Sequence, residues 1–271
     1  MLRRRTLLTA SAGLLVRPAN AAVPPSTAPV GLPLTFFEDF DAMPDFRIWD
    51  TAYPWGARWL DQGELQVYVD PSYMGTTNHA LGLNPFSVNN SILSIRANPV
   101  PPSLAQAVGV QRYTSGLLTT HRSFSQTFGY FEMRARLPFG RGLWPAFWMG
   151  PQDMSWPPEI DIMEAKGSEP TTLYNTLHTP ARRPIGFTIQ VADDMTAGFH
   201  RYGVLWTNSY VAWYFDGRRV AYTPTTSSDD TQKPMYMLIN LALGGMAGNP
   251  DNTTTFPANL EVDYVCAYDC R

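Results

Sequence analysis

Between Pro158 and Lys166 the chain reads E-I-D-I-M-E-A, which sets Glu159, Asp161 and Glu164 among Ile160, Ile162 and Met163. Carboxyls grouped in this way can do nucleophilic and acid–base work, one held ionised and another kept protonated by its surroundings. Side chains alternate along an extended strand, so Glu159 and Asp161 share one face and Ile160 and Ile162 the other. Glu164 follows Glu159 by five residues. That odd interval would point it into the apolar side, where a lone ionised Glu costs several kcal/mol. A β-bulge near Ile162-Met163 absorbs one residue and returns Glu164 to the polar face. Even then the Cα atoms of Glu159 and Glu164 stand about 13 Å apart on a flat strand. A pair of carboxyls that splits a glycosidic bond with retention needs a gap of only about 5–5.5 Å. Curvature of the sheet must supply the difference. Asp161 can orient Glu159 by a hydrogen bond, and its charge helps to keep Glu164 protonated. A calcium site or a merely wetted acidic face is the weaker alternative, because calcium prefers a flexible loop with Gly to a rigid strand between isoleucines.

The elements that position these residues are strands. Helical periodicity is almost absent, and 24 prolines and 20 glycines punctuate the chain. Short alternating segments recur: SILSIRA, GYFEMRARLP, EIDIME, RYGVLW, YVAWYFDG, YMLINLAL and LEVDYVCAY. Asp216-Gly217 between YVAWYF and RRVAY is a hairpin signal. The pattern predicts an all-β fold, a two-sheet jelly-roll sandwich with a concave substrate cleft. In GYFEMRARLP, Phe131, Met133 and Ala135 share a face opposite Glu132, Arg134 and Arg136. In GLWPAFWMG, Leu143, Pro145, Phe147 and Met149 oppose Trp144, Ala146 and Trp148. A face that only meets water rarely carries two tryptophans, so the outer face of the sheet is read as functional.

The first 21 residues have the build of an export signal: Arg3, Arg4 and Arg5, an apolar run to Val16, and Ala-Asn-Ala before a cleavage point after Ala21. The paired arginines before Thr-Leu-Leu fit the twin-arginine type, and the apolar run is shorter than the roughly 20 residues of a membrane span. Residues 22–33 read as a Pro-rich linker and residues 34–271 as one catalytic domain. Cleavage removes four arginines and no acids, leaving 16 basic against 23 acidic residues, a net charge of −7. An exported acidic protein suits neither nucleic acid nor a membrane surface; a neutral polysaccharide fits better. A periplasmic or extracellular monomer is expected. Cys266 and Cys270 would lie about 13 Å apart on a straight strand, too far for a disulfide unless the chain turns after Tyr268. The four histidines are scattered and suggest no zinc site.

These segments resemble glycoside hydrolase family 16, the concanavalin-like jelly rolls that cleave β-glucans and galactans. The likeness runs from about Phe36 to Tyr268 and includes GELQVYVDP, SILSIRANP, FGYFEMRARLP, GRGLWPAFWMGP, PPEIDIMEAKG, FHRYGVLWT, WYFDGRRV, INLALGG and FPANLEVDYVCAY in family order. E-I-D-I-M-E is similar to the bulged, laminarinase-like branch. The resemblance implies Glu159 as nucleophile, Asp161 as assisting acid and Glu164 as general acid/base in a retaining endo-hydrolysis of a β-linked polysaccharide. It implies substrate contacts from Glu132, Arg134, Trp144, Trp148, Trp156 and His178. It also implies a structural calcium ion through Asp263, and no cofactor for catalysis. Asn240 reads as a buried amide, and Trp206 and Trp213 as core. Two departures bear on specificity. Met246-Ala247-Gly248 stands where most relatives carry Asn-Trp, and a loop within residues 70–90 is expected to border the cleft. An exopolysaccharide is therefore an alternative to β-1,3-glucan, as a transglycosylase is to a hydrolase. A non-catalytic lectin is disfavoured because all three carboxylates are kept.

Overall fold

The computed structural model describes residues 31–271, so the export signal at 1–21 and most of the 22–33 linker lie outside the described residues. Alternating apolar positions and frequent turn residues give strands almost throughout. The first eight are β1 (Leu34–Glu38), β2 (Gln66–Tyr68), β3 (Phe86–Asn89), β4 (Ile92–Pro99), β5 (Tyr113–Ser115), β6 (Leu117–Thr119), β7 (Gly129–Arg136) and β8 (Leu143–Pro151). The rest are β9 (Glu159–Ala165), β10 (Thr172–Thr179), β11 (Arg182–Gln190), β12 (His200–Trp206), β13 (Tyr210–Phe215), β14 (Arg218–Pro224), β15 (Met235–Leu243) and β16 (Ala258–Tyr268).

Two sheets result. One has six strands in the order β11-β10-β9-β8-β15-β6; the other has ten, running β14-β13-β12-β7-β16-β4-β5-β2 with β1 on β16 and β3 on β4. The neighbours of β9 in sequence are its neighbours in the sheet, whereas β15 is inserted beside β8 from far along the chain. The Asp216-Gly217 turn joins β13 to β14 with φ values of 47° and 78°. Positive φ at both central residues is what a two-residue hairpin turn of the I′ type requires.

The faces divide as their parity dictates. Phe131, Met133 and Ala135 of β7 join Leu143, Phe147 and Met149 of β8 and Ile160 and Met163 of β9 in one buried core between the sheets. Removing a side chain such as Phe147 from such a core costs about 3–5 kcal/mol. Trp206 and Trp213 are fully buried there. Cys266 and Cys270 do not form a disulfide; Cys266 is buried in β16, and the Cys270 thiol, beyond its end, donates to Trp206 O.

The bulge in β9 is present. Against β8, Ala146 pairs with Glu164, Phe147 with Met163 and Trp148 with Asp161, which leaves Ile162 without a partner. Against β10, Tyr174 pairs with Glu164 and Thr176 with Asp161, so the same extra residue is absorbed on both sides. Two side chains capture the carbonyls freed there. The buried Trp213 indole donates to Asp161 O at 2.8 Å across the sandwich, and Asn175 Nδ2 donates to Ile162 O at 2.7 Å from β10. Buried carbonyls left without donors would cost about 1–3 kcal/mol each, so these two residues hold the kink in place.

Candidate active site

With the kink in place, Glu159, Asp161 and Glu164 all open into one cleft of about 770 Å³ on the outer face of the six-stranded sheet. That volume is in the range of small-molecule and oligosaccharide sites. The same face of β8 contributes Trp144, Ala146, Trp148 and Gly150, and β10 contributes Thr176 and His178.

Each glutamate carries an indole. Trp156 Nε1 donates to Glu159 Oε2 at 3.0 Å, and Trp144 Nε1 donates to Glu164 Oε1 at 2.9 Å. His178 Nε2 lies 3.1 Å from Asp161 Oδ2 and 3.5 Å from Glu159 Oε1. A hydrogen bond links Asp161 to Glu159, which requires one of the two carboxyls to hold a proton. Burial pushes all three acids above their ordinary range. For Glu159 the charge on Asp161 adds to burial, while His178 and the Trp156 indole oppose it. For Asp161, 4% exposed, burial and the charge on Glu164 act together. For Glu164 burial is opposed by the Trp144 indole and then by His178. Three carboxyls in one dry cleft cannot all ionise cheaply. One proton is therefore shared between Glu159 and Asp161, and Glu164 lies close enough for its charge to act on Asp161.

Trp148 Nε1 donates to Asn240 Oδ1 at 2.8 Å, and Asn240 Nδ2 donates to the Tyr68 hydroxyl at 3.0 Å. Asn240 is thus a buried amide of the floor that also lines the cleft. Trp156 keeps 67% of its surface exposed at the rim.

The profile of Glycosyl hydrolases family 16 matches residues 84–266. The chain belongs to this family. Among its relatives is the protein named endo-1,3-1,4-beta-glycanase ExsH of Rhizobium meliloti (strain 1021), 43% identical over 245 residues, which cover 86% of this chain and 51% of that one. The chain therefore spans about half the length of that relative. The beta-glucanase of Rhodothermus marinus is 32% identical over 85% of this chain and 82% of its own. Among solved structures, SCLam, described as a non-specific endo-beta-1,3(4)-glucanase, superposes with a TM-score of 0.77 at 30% identity, covering 90% of this chain and 93% of its own.

Within this member of family 16, several expected contacts are elsewhere. Glu132 and Arg134 are corrected: β7 belongs to the ten-stranded sheet, so its polar face looks away from the cleft. Glu132 is fully buried and accepts hydrogen bonds from the hydroxyls of Tyr130 and Tyr264, both at 2.8 Å. Arg134 forms an ion pair with Asp263 of β16. That pairing also bears on the calcium role. A guanidinium already neutralises the Asp263 carboxylate, and among the described residues the groups spaced for a metal are Glu159/Asp161/His178 and Asp193/His200/Asp216, neither of which includes Asp263. A calcium ion at Asp263 would compete with Arg134 for that carboxylate. The loop in residues 70–90 does not line the cleft either. Its Tyr73, Leu81 and Leu83 pack on Val67, Val69 and Val108. The cleft wall comes instead from residues 53–64.

That wall holds residues that sequence reasoning missed. Tyr53 and Trp55 stack with centroids 4.9 Å apart and planes 5° from parallel, and Trp55 is 53% exposed. Glu64 faces the cleft from the same segment. The aromatic run in YPWGARWL and the Gly63-Glu64 pair of GELQVY were the available signals. Met246 lines the rim where an aromatic was expected to be lacking.

Proposed function

We propose that this chain is an exported, endo-acting β-glucanase that hydrolyses β-1,3- or mixed-linkage glucan with retention of configuration, as a monomer and with carboxyl groups as its only catalytic equipment. The observation that carries the reading is the bulge, which brings Glu164 to the same cleft as Glu159 and Asp161. Its support comes also from family membership, since family 16 is a retaining family, and from relatives named as β-glucanases. Export rests on the composition of residues 1–21.

In this reading the proton shared by Glu159 and Asp161 rests on Asp161 and a second one on Glu164. Glu159, held anionic by the Trp156 indole and the proton on Asp161, attacks the anomeric carbon. Glu164 gives its proton to the departing glycosidic oxygen, and a glycosyl–Glu159 ester forms. The Trp144 indole then stabilises the carboxylate left at Glu164. That carboxylate takes a proton from water, whose oxygen attacks the same carbon from the vacated side and expels Glu159 as a free carboxylate; two inversions give net retention. The exposed faces of Trp156 and Trp55 offer flat apolar surfaces to the C–H faces of sugar rings.

The deciding experiment is reducing-end release from laminarin, mixed-linkage β-glucan, agarose, carrageenan and bacterial exopolysaccharides, with the anomer of the first product read by NMR. The β-glucans should be cleaved internally to β-anomers. An α-anomer, or cleavage of agarose alone, would overturn the reading.

A further inference from the structure

The cleft lining has a charge bias. Among the described residues it includes four carboxyl side chains, Glu64, Glu159, Asp161 and Glu164, and no Lys or Arg, with His178 the one lining side chain able to carry positive charge. Three of the four are used by the chemistry above. Glu64 is not.

Glu64 is placed by backbone pairing with the end of β15: it bridges to Gly244, and Leu65 N donates to Leu243 O at 2.8 Å. Strands β8 and β15 therefore lie between it and β9, about 14 Å at the usual strand spacing. The floor between carries the Trp144 ring, which reaches Gly245, beside small residues. Ala146 stands opposite Glu164, and Ala242 opposite Trp144, which leaves room for sugar rings. The Glu64 side chain is only 8% exposed. Leu60 N and Gln66 Nε2 both donate to its Oε2, at 2.7 and 2.8 Å, and among the described residues none donates to Oε1. Oε1 is thus the carboxylate oxygen left open to the cleft, where a sugar hydroxyl can donate to it in place of water.

We propose that Glu64 binds and selects the sugar: Oε1 accepts a hydroxyl of a neutral hexose unit seated away from the bond being cleaved, and the same charge excludes a unit bearing carboxylate or sulfate at that position. The assignment rests on the glucanase reading of the cleft and adds to it the electrical character of the substrate. Burial pushes the carboxyl up to about 7, against the donors Leu60 and Gln66. Its titratable neighbours are the buried hydroxyls of Tyr53 and Tyr68, which its charge pushes further up. Neither balances it with positive charge.

The test is made at pH 8, where Glu64 is ionised, in the catalytically silenced Glu159→Gln background. Calorimetry measures binding of a neutral β-glucan oligosaccharide and of its counterpart oxidised to carboxylate at C6. Adding Glu64→Gln should weaken the neutral ligand about tenfold or more, the worth of a hydrogen bond to a charged acceptor. It should also narrow the preference for neutral over oxidised ligand by a similar factor. Glu64→Asp keeps the charge on a shorter arm and should keep the discrimination while losing affinity. If both ligands weaken together and the preference stays constant, Glu64 is structural and the assignment is overturned. It is overturned equally if neutral affinity is unchanged. Turnover of neutral glucan by the unmodified chain is measured in parallel. Its absence, with no binding, would bring down the glucanase reading itself, whereas intact turnover with an unmoved preference would bring down only the role of Glu64.

Discussion

An indole N–H donates and cannot accept, so an indole aimed at a carboxyl oxygen favours the charged form of that carboxyl. Trp156 does this to Glu159 and Trp144 does it to Glu164, and the two should leave different marks on a pH profile. Trp156→Phe removes a donor from the nucleophile, raises its pKa further and should move the acid limb of kcat/KM upward. Trp144→Phe does the same to the acid/base and should move the alkaline limb upward instead. Each variant should lose about 10- to 100-fold in kcat/KM at the wild-type optimum, the range for a hydrogen bond to a charged group. A pair of variants that lowered the rate without moving either limb would mean that the indoles serve only as sugar platforms. Glu159→Gln and Glu164→Gln should each cost several orders of magnitude in kcat, as members of one unit do. Only Glu164→Gln should retain glycosylation by an activated aryl glycoside, whose leaving group needs no proton.

At the scale of the strand, the extra residue in β9 is the feature on which the site turns, and it can be removed or doubled. Deleting Ile162 leaves Asp161, Met163 and Glu164 opposite Trp148, Phe147 and Ala146, a regular ladder with all three carboxyls still on the cleft face. That variant should fold, at a cost of a few kcal/mol for the lost core side chain, and keep activity within about a hundredfold, the penalty of a roughly 1 Å misplacement. Inserting one Ala after Ile162 makes the interval from Glu159 even, so a regular ladder sets Glu164 opposite Trp144 instead of Ala146, about 7 Å further along the cleft face, and should abolish activity. Trp213→Phe leaves Asp161 O without its donor and should destabilise by about 1–3 kcal/mol in denaturant melts. The carboxylate face, the kink and the alternation of β8 were legible from the sequence because parity along one strand is local. Parity could not say which sheet a strand joins. That is why Glu132 and Arg134, correctly assigned to a polar face, turned out to be on the far side of the molecule. Nor could it reach Tyr53, Trp55 and Glu64, which come to the cleft from a connecting segment whose path is set by the Arg58–Asp70 ion pair at 2.8 Å and the Glu64–Gly244 bridge.

For the molecule as a whole, a cleft that gathers buried acids makes stability depend on pH in a direction opposite to that of ordinary paired acids. The carboxyls of Glu64, Glu159, Asp161 and Glu164 all have folded-state pKa values raised above those of the unfolded chain, each chiefly by burial. Between the two values the folded chain holds more protons, so stability is full below the unfolded value and is lost as pH rises through the folded one. For Glu64 that window runs from 4.5 to about 7. The corresponding loss is on the order of 3 kcal/mol at 1.36 kcal/mol per unit. Asp229 behaves in the opposite way: despite its burial, the Thr226 backbone N–H and Arg182 hold it below its ordinary range, so its contribution is present above the unfolded value and lost as pH falls. The two windows overlap between 3.8 and 4.5, so the joint contribution of these groups is greatest there and declines above it. The melting temperature should therefore fall between pH 5 and pH 8, where most carboxylate-stabilised proteins change little. Glu64→Gln should flatten that fall and melt higher than the unmodified chain at pH 8 while binding glucan less well. A rise in melting temperature from pH 5 to pH 8 would show that the cleft acids are ionised and compensated in the free protein, and the proton placement on which the mechanism depends would have to be redrawn.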